Sequence, residues 1–447
     1  MSHPEPVQDG FVAVPDDTIR NISFYLDRKS YLAFSGACSR LRELLLGDFF
    51  KHKTIRIDPT DPHTSDRLPH PSILEEYISG VIVKQPDGSI DILHSACNAF
   101  LQRLHHLRTV GFHGVNFQSV SQDQSMFRNL SMALRHTSVL AIIEQSTVFP
   151  PHILVNCLKI EVLILDLRSI TRSVYAPAWN QWLLEPNGEP SRPKDVTLLG
   201  NTTGMRRFGE FLETEGRFSF ERVRKLKLTY DEYQPGTGNI TPRAFSISST
   251  GERRPYVVES PSNSERAGLI LRHAGAALVY LELNVRLFDI SRYAIPGKDL
   301  GGLCNLRYLK VTLTIKAKYF TNMQDPSDPW LLSLMNSLPS NPTLEKLHLH
   351  YKILLEKNGG PDDESEALKM LQLFISQELD EHLFGNKKFA GLKQIQLQAG
   401  MFRNGRAPLI AQEHDADGFF PSIPEHGLSR SAEVWVAHSP QFKQSQA

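Results

Sequence analysis

Residues 303–311 read LCNLRYLKV, and the spacing of their apolar side chains decides how the rest of the chain is read. Leu303, Leu306, Leu309 and Val311 stand three, three and two residues apart. The last pair has strand period and puts two side chains on one face, while the three-residue steps before it suit a turn that leads into the strand. The spacing occurs at least seven times along the chain. It is seen in Leu104, Leu107, Val110 and Phe112; in Ile160, Leu163 and Leu165, preceded by Cys157; and in Phe220, Val223, Leu226 and Leu228. The other copies are Leu278, Leu281 and Leu283; Leu344, Leu347 and Leu349; and Phe389, Leu392, Ile395 and Leu397. Each copy predicts a short strand with a core face, and Leu226, Leu281, Leu309, Leu347 and Ile395 occupy the same buried place in successive units.

Between the copies lie helix-like runs, SMFRNLSMALRHT, WLLSLMNSL and EALKMLQLFISQELDEHLF, so each unit reads as a strand followed by a helix, and units of that kind stack. The pattern resembles a degenerate leucine-rich-repeat-like array over residues 75–400. The resemblance implies a mixed α/β fold, an irregular solenoid of strands and helices. The spacing between copies is uneven and the Asn or Cys usual after the strand is mostly missing; the other reading is an ordinary α/β domain with similar strands. LEPNGEPSRPKD (184–195) and residues 234–266 read as insertions, the second mobile because its Gly, Pro, Ser and Thr offer few aliphatics to offset the cost of ordering. The tail, 401–447, reads as largely irregular, with a terminal strand available through Val434 and Val436.

Residues 14–50, VPDDTIRNISFYLDRKSYLAFSGACSRLRELLLGDFF, are different in kind. Pro15, Asp16 and Asp17 open a helix carrying Ile19, Ile22 and Leu26; Asp27 caps a second with Tyr31, Leu32 and Phe34; Cys38, Leu41 and Leu45 line a third. A unit of about 40 residues rarely sustains its own core without a disulfide, a metal or a partner. The segment, taken as residues 12–52, resembles an F-box: Val14-Pro15 stands for Leu-Pro, and Leu26, Tyr31-Leu32, Phe34-Ser35-Gly36, Cys38, Arg40 and Leu41 follow without a gap. Its departures are the opening Val and Phe49-Phe50 near a position that often holds Trp. The resemblance implies that Val14, Pro15, Ile19, Ile22, Leu26, Tyr31, Leu32, Phe34, Cys38 and Leu41 bind a Skp adaptor and, through it, a cullin. An ordinary amphipathic helical hairpin is the alternative. Residues 1–11 read as disordered, and 53–74, with four prolines in DPTDPHTSDRLPHPS, as a linker.

The chain of 447 residues holds 49 Lys and Arg against 49 Asp and Glu, a balance that excludes recognition of nucleic acid or an anionic membrane by bulk charge. Cysteines at 38, 97, 157 and 304 form no C-x-x-C pair, which points away from zinc and disulfides and toward a reducing compartment. No apolar leader opens the sequence and no apolar run reaches the ~18 residues of a membrane helix, so a cytoplasmic or nuclear protein is expected.

No catalytic signature stands in the chain. Gly236-Thr237-Gly238 reads as a turn. Glu413, Asp415, Asp417 and Gly418 lack the closing Glu of a calcium loop, because Pro424 stands there. His348 and His350 share a strand face but no third ligand joins them, so they read as surface, and no metal or cofactor is expected. The outward face of the array presents Lys225, Lys227, Tyr280, Tyr308, Lys310, Lys346, His348 and His350, a set suited to an acidic protein target. The sequence therefore resembles a filamentous-fungal F-box protein, which implies a non-catalytic substrate-recognition subunit of a Skp-cullin-F-box ubiquitin ligase. The alternative is a Skp-binding scaffold that joins no cullin.

Overall fold

The computed structural model describes residues 14–38, 40–41, 44–45, 54–57, 79–84, 107–117, 120, 122–143, 149–168, 182, 189–230, 269–287, 297–316, 329–339, 343–355, 369, 383, 389–403, 410–413 and 429–436. They form a mixed α/β protein of parallel strands and helices, divided into two compact units, Met1–Ile160 with Ala176–Gly188 and Glu161–Tyr175 with Glu189–Ala447.

The first unit opens with α1 (Asp16–Phe24) and α2 (Arg28–Gly36), after which residues 40–41 and 44–45 are again helical. Pro15 is the cap of α1 rather than its first residue, and its carbonyl accepts from the N–H groups of Thr18 and Ile19. Asp16 and Asp17 fill the first turn, where the helix end is positive. Asp27 caps α2 by accepting from the Ser30 N–H at 2.8 Å, as its sequence position predicts. The small core here is Ile19, Leu41 and Leu45, with Val14, Tyr31, Phe34, Cys38 and Leu44 packed against it. Arg40 ties the entry of α1 to the third helical stretch by donating to the Val14 carbonyl at 2.8 Å and to Asp16 at 2.6 Å.

Four parallel strands follow in chain order: β1 (Thr54–Ile57), β2 (Gly80–Lys84), β3 (Thr109–His113) and β4 (Val139–Ile143). Val81, Val110 and Leu140 are aligned across β2 to β4, as are Val83, Phe112 and Ile142, and all six are buried. Helix α3 (Gln124–Leu134), capped by Asp123, lies between β3 and β4 and buries Phe127, Leu130 and Leu134. Strand β1 falls inside 53–74, so that segment is not the plain linker its prolines suggest; residues 58–72 lie outside the described set.

In the second unit, β5 (Val162–Asp166), β6 (Asp195–Gly200), β7 (Lys225–Tyr230), β8 (Tyr280–Leu287), β9 (Tyr308–Lys316), β10 (Lys346–Leu355) and β11 (Gln394–Arg403) pair in chain order, all parallel. Strand β12 (Ile410–Glu413) is antiparallel to β13 (Ser429–Val436), which pairs in parallel with β11 and sets Val434 against Ala399 and Val436 against Met401. Val434 and Val436 thus lie in a strand, while residues 404–409, 414–428 and 437–447 of the tail lie outside the described set. One column of partners runs Leu163, Val196, Leu226, Leu281, Leu309, Leu347, Ile395, and each of these is at most 1% exposed. A polar backbone cannot be buried without partners. The carbonyl just before each strand accordingly accepts two N–H groups of the next: Arg224 from Val279 and Tyr280, Val279 from Arg307 and Tyr308, Arg307 from Glu345 and Lys346, Glu345 from Lys393 and Gln394.

The three-residue steps before the strands are turns, closed by N–H to carbonyl bonds from Val223 to Phe220, Leu306 to Leu303 and Leu392 to Phe389. Helices α4 (Thr202–Thr214), α5 (Leu269–Ala274) and α6 (Pro329–Ser337) occupy three of the connections. The expected insertion 184–195 ends inside this framework: Ser191 bridges to Phe218, Pro193 is buried and β6 starts at Asp195. The insertion 234–266, and residues 367–385 apart from Lys369 and Leu383, lie outside the described residues.

At Gly204 helix α4 lies close against the backbone just past β5. A Cβ on Gly204 would clash with the Leu167 carbonyl oxygen. Gly204→Ala should therefore lower stability by about 2 kcal/mol through overpacking, although Ala is the better helix former by about 1 kcal/mol. Denaturant unfolding checks the sign.

Candidate functional site

The strand period that turns Leu226, Leu281, Leu309, Leu347 and Ile395 inward turns the residues on either side of them outward, and the register assembles those into rows. The first row runs Asp195, Lys225, Tyr280, Tyr308, Lys346, Gln394 from β6 to β11. The second runs Thr197, Lys227, Glu282, Lys310, His348, Gln396, and the third Leu199, Thr229, Asn284, Thr312, His350, Gln398. All eight residues expected at the target face lie in these three rows.

Tyr280 and Tyr308 are stacked, ring centroids 4.7 Å apart and planes within 10°. Adjacent parallel strands bring aligned side chains about 4.8 Å apart, so flat rings in one row meet face to face. Beneath them Glu282 sits between two lysines, with Oε1 3.3 Å from Lys227 Nζ and 3.6 Å from Lys310 Nζ, while the Tyr280 hydroxyl donates to Oε2 at 3.3 Å. Burial pushes the Glu282 carboxyl up, but Lys310 and Lys227, with hydrogen bonds from Lys227 and Tyr280, outweigh it and hold the group below its usual range. Burial and the adjacent Glu282 push the Tyr280 phenol up to about 12, and the same two causes raise Tyr308, so both remain hydroxyl donors.

Glu282 brings an acid into the face read from lysines, tyrosines and histidines. Two of the four lysines, Lys227 and Lys310, are ion-paired with Glu282, and Lys225 and Lys346 have no ion pair among the described residues. Its position in the strand was visible in the sequence. That it stands between two lysines follows only from the pairing of β7, β8 and β9.

The histidines differ from expectation too. His348 is buried at 9% exposure and its Nε2 lies 2.9 Å from Gln398 Oε1 on the neighbouring strand β11. His350, half-buried, is held down to about 4 by burial first and then by Lys352, His348 and Lys310. Its folded value lies below the ordinary histidine value of 6.5, so the neutral form is favoured on folding. Its contribution is full above pH 6.5 and is lost as pH falls toward 4, where the unfolded chain binds a proton the folded chain does not. His152 in the first unit, lowered to about 4 by burial, acts in the same window. Denaturant unfolding at pH 7.5 and 5, at about 25 °C, should show lower stability at the acid value, and His350→Gln should remove part of that difference.

At the N-terminal helices the ten expected contact residues separate. Ile19 and Leu41 are fully buried inside the helical unit and hold it together instead of offering contact area. Val14, Tyr31, Phe34 and Cys38 are half-buried against the same core, Leu26 is half-buried, Pro15 is exposed, and the Leu32 side chain lies outside the described set. Ile22 is 46% exposed, and Phe24 and Tyr25, which the sequence reading passed over, are 86% and 85% exposed with their rings edge to face at 5.8 Å. The helical spacing from Ile22 selected one of this group, while Phe24 and Tyr25 fall off that spacing at the helix end.

Among the described residues no group of three or more His, Cys, Asp or Glu is placed to hold a metal ion, and no helix is long and apolar enough to cross a membrane. Cys157 is buried, which pushes its thiol up and away from reactivity.

No protein-family model matches the chain, and no curated protein matches it. Among solved structures, the chain is similar to a Bacteroides fragilis protein at 8% identity and TM-score 0.29, over 85% of this chain and 73% of that one. It is also similar to a chain of the yeast Rad7 and Elc1 complex at 12% identity and TM-score 0.30, over 85% of this chain and 86% of that one. Similarity at these TM-scores establishes neither a shared fold nor a shared role. The described residues form a mixed α/β protein with a repeat-like array of parallel strands.

Proposed function

We propose that the chain is the substrate-recognition subunit of a Skp-cullin-F-box ubiquitin ligase. In this reading residues 12–52 are an F-box that docks a Skp adaptor, and the array over 75–400 is a leucine-rich-repeat-like solenoid whose outward strand face holds a protein target. The observation that carries the proposal is at α1: the helical unit closes its own core on Ile19, Leu41 and Leu45, yet leaves Ile22, Phe24 and Tyr25 in water at one helix end. Large apolar side chains exposed side by side mark a docking surface more often than chance scatter does. The chain itself carries no chemistry in this role; it supplies proximity, holding a target beside the enzyme that transfers ubiquitin. Such a subunit works in the cytoplasm or nucleus.

Affinity purification of the full chain from cells tests the proposal. Recovery of a Skp adaptor together with a cullin supports it. Adaptor without cullin leaves a binding scaffold, and recovery of neither removes the F-box reading.

A further inference from the structure

We infer that the outward face of β7 to β10 takes an extended acidic peptide laid across the strands, with two acidic groups about four residues apart held by Lys225 and Lys346 and an apolar residue between them on Tyr280 and Tyr308. The inference rests on the receptor proposal and names the substrate class of its target face. Lys225 and Lys346 close the two ends of the tyrosine pair in a single row. They are three strand steps apart, about 14 Å, and an extended chain advances about 3.3 Å per residue, which sets the spacing of the acids.

Three features select this occupant. Lys225 and Lys346 are exposed and have no ion pair among the described residues, unlike Lys227 and Lys310, which Glu282 engages. The stacked rings make an apolar ridge between those two cations, and the Tyr308 hydroxyl, with no hydrogen-bond partner among the described residues, adds a donor there. The face as a whole has an excess of positive charge, Lys225, Lys227, Lys310 and Lys346 against Asp195 and Glu282. Each of the first two rows carries one acid, Asp195 beside Lys225 and Glu282 between Lys227 and Lys310, which suits discrete negative groups on a peptide and repels a continuous polyanion such as a nucleic acid backbone.

Fluorescence anisotropy on the full-length chain decides the matter, with labelled peptide pools carrying Glu, phosphoserine or Lys at two positions four residues apart and Leu or Ser between. The Glu or phosphoserine pools with central Leu should bind and the Lys pools should not; the stronger of the two acidic pools identifies the source as carboxylate or phosphate. The paired substitution Lys225→Glu with Lys346→Glu should weaken acidic pools at least about tenfold and admit the Lys pools, a gain that misfolding cannot produce. Tyr308→Ala should erase the preference for Leu over Ser. Equal binding of acidic and lysine pools, an unchanged affinity in the paired variant, or preferential binding of a single-stranded oligonucleotide would overturn the inference. Adaptor capture by the same variants is scored separately, so the peptide face can fail while the receptor proposal stands.

Discussion

Replacement of Leu309 by Ala is expected to destabilise the second unit by about 2–5 kcal/mol, the range for deleting a large aliphatic from a packed interior. Leu309 is fully buried in β9 and aligned with Leu281 of β8 and Leu347 of β10. The backbone around it is held from both sides by parallel ladders, so the walls cannot move in to fill the space the side chain vacates. Lys310, the next residue, points to the opposite face, and Lys310→Ala should change stability by less than about 1 kcal/mol. Urea unfolding of both variants measures the contrast. Similar losses for the two would contradict the assignment of inward and outward faces on which the target site depends.

Ile22→Asp combined with Phe24→Asp is expected to abolish capture of a Skp adaptor while leaving helical content and the unfolding midpoint of the protein unchanged. Both side chains are exposed, so charge can be introduced without opening the core of Ile19, Leu41 and Leu45. In a complex the same charges would be buried without partners, and burying apolar area the size of these side chains is worth about 1.5–3 kcal/mol each. Ile19→Asp provides the contrast, because it places a carboxylate in that core and should unfold the helical unit outright. Pull-down and far-UV circular dichroism separate the two effects. A double variant that still captures the adaptor would remove α1 from the docking surface.

Seven strands could be found from apolar spacing because their inward positions are filled by aliphatic or aromatic residues. β4 and β6 have the same spacing with substitutes: Leu134, Thr137, Leu140 and Ile142 before and in β4, and Pro193, Val196 and Leu198 before and in β6. Thr137 and Pro193 are buried in the place of the usual aliphatic, so a search restricted to apolar residues passes them by. β1 is short and gives no such signal.

The site divides along the same line. That Lys225, Lys227, Tyr280, Tyr308, Lys310, Lys346, His348 and His350 lie on one side of their strands follows from the two-residue period of an extended chain, and so does the burial of the leucines between them. Helix capping by Asp27 is likewise local, a matter of one side chain and the N–H three residues on. The tertiary structure alone decided who meets whom. Glu282 takes charge from Lys227 and Lys310, Tyr280 stacks on Tyr308, and His348 reaches Gln398 because parallel pairing aligns strands separated by 20 or more residues of chain. At the N-terminus the sequence determined an amphipathic set of helices with a capping Asp, and packing determined that Ile19 turns inward while Ile22, Phe24 and Tyr25 remain in water. Periodicity sets the side on which a residue emerges; its neighbours, and hence its burial, charge state and availability to a partner, are set by contacts between segments distant in sequence.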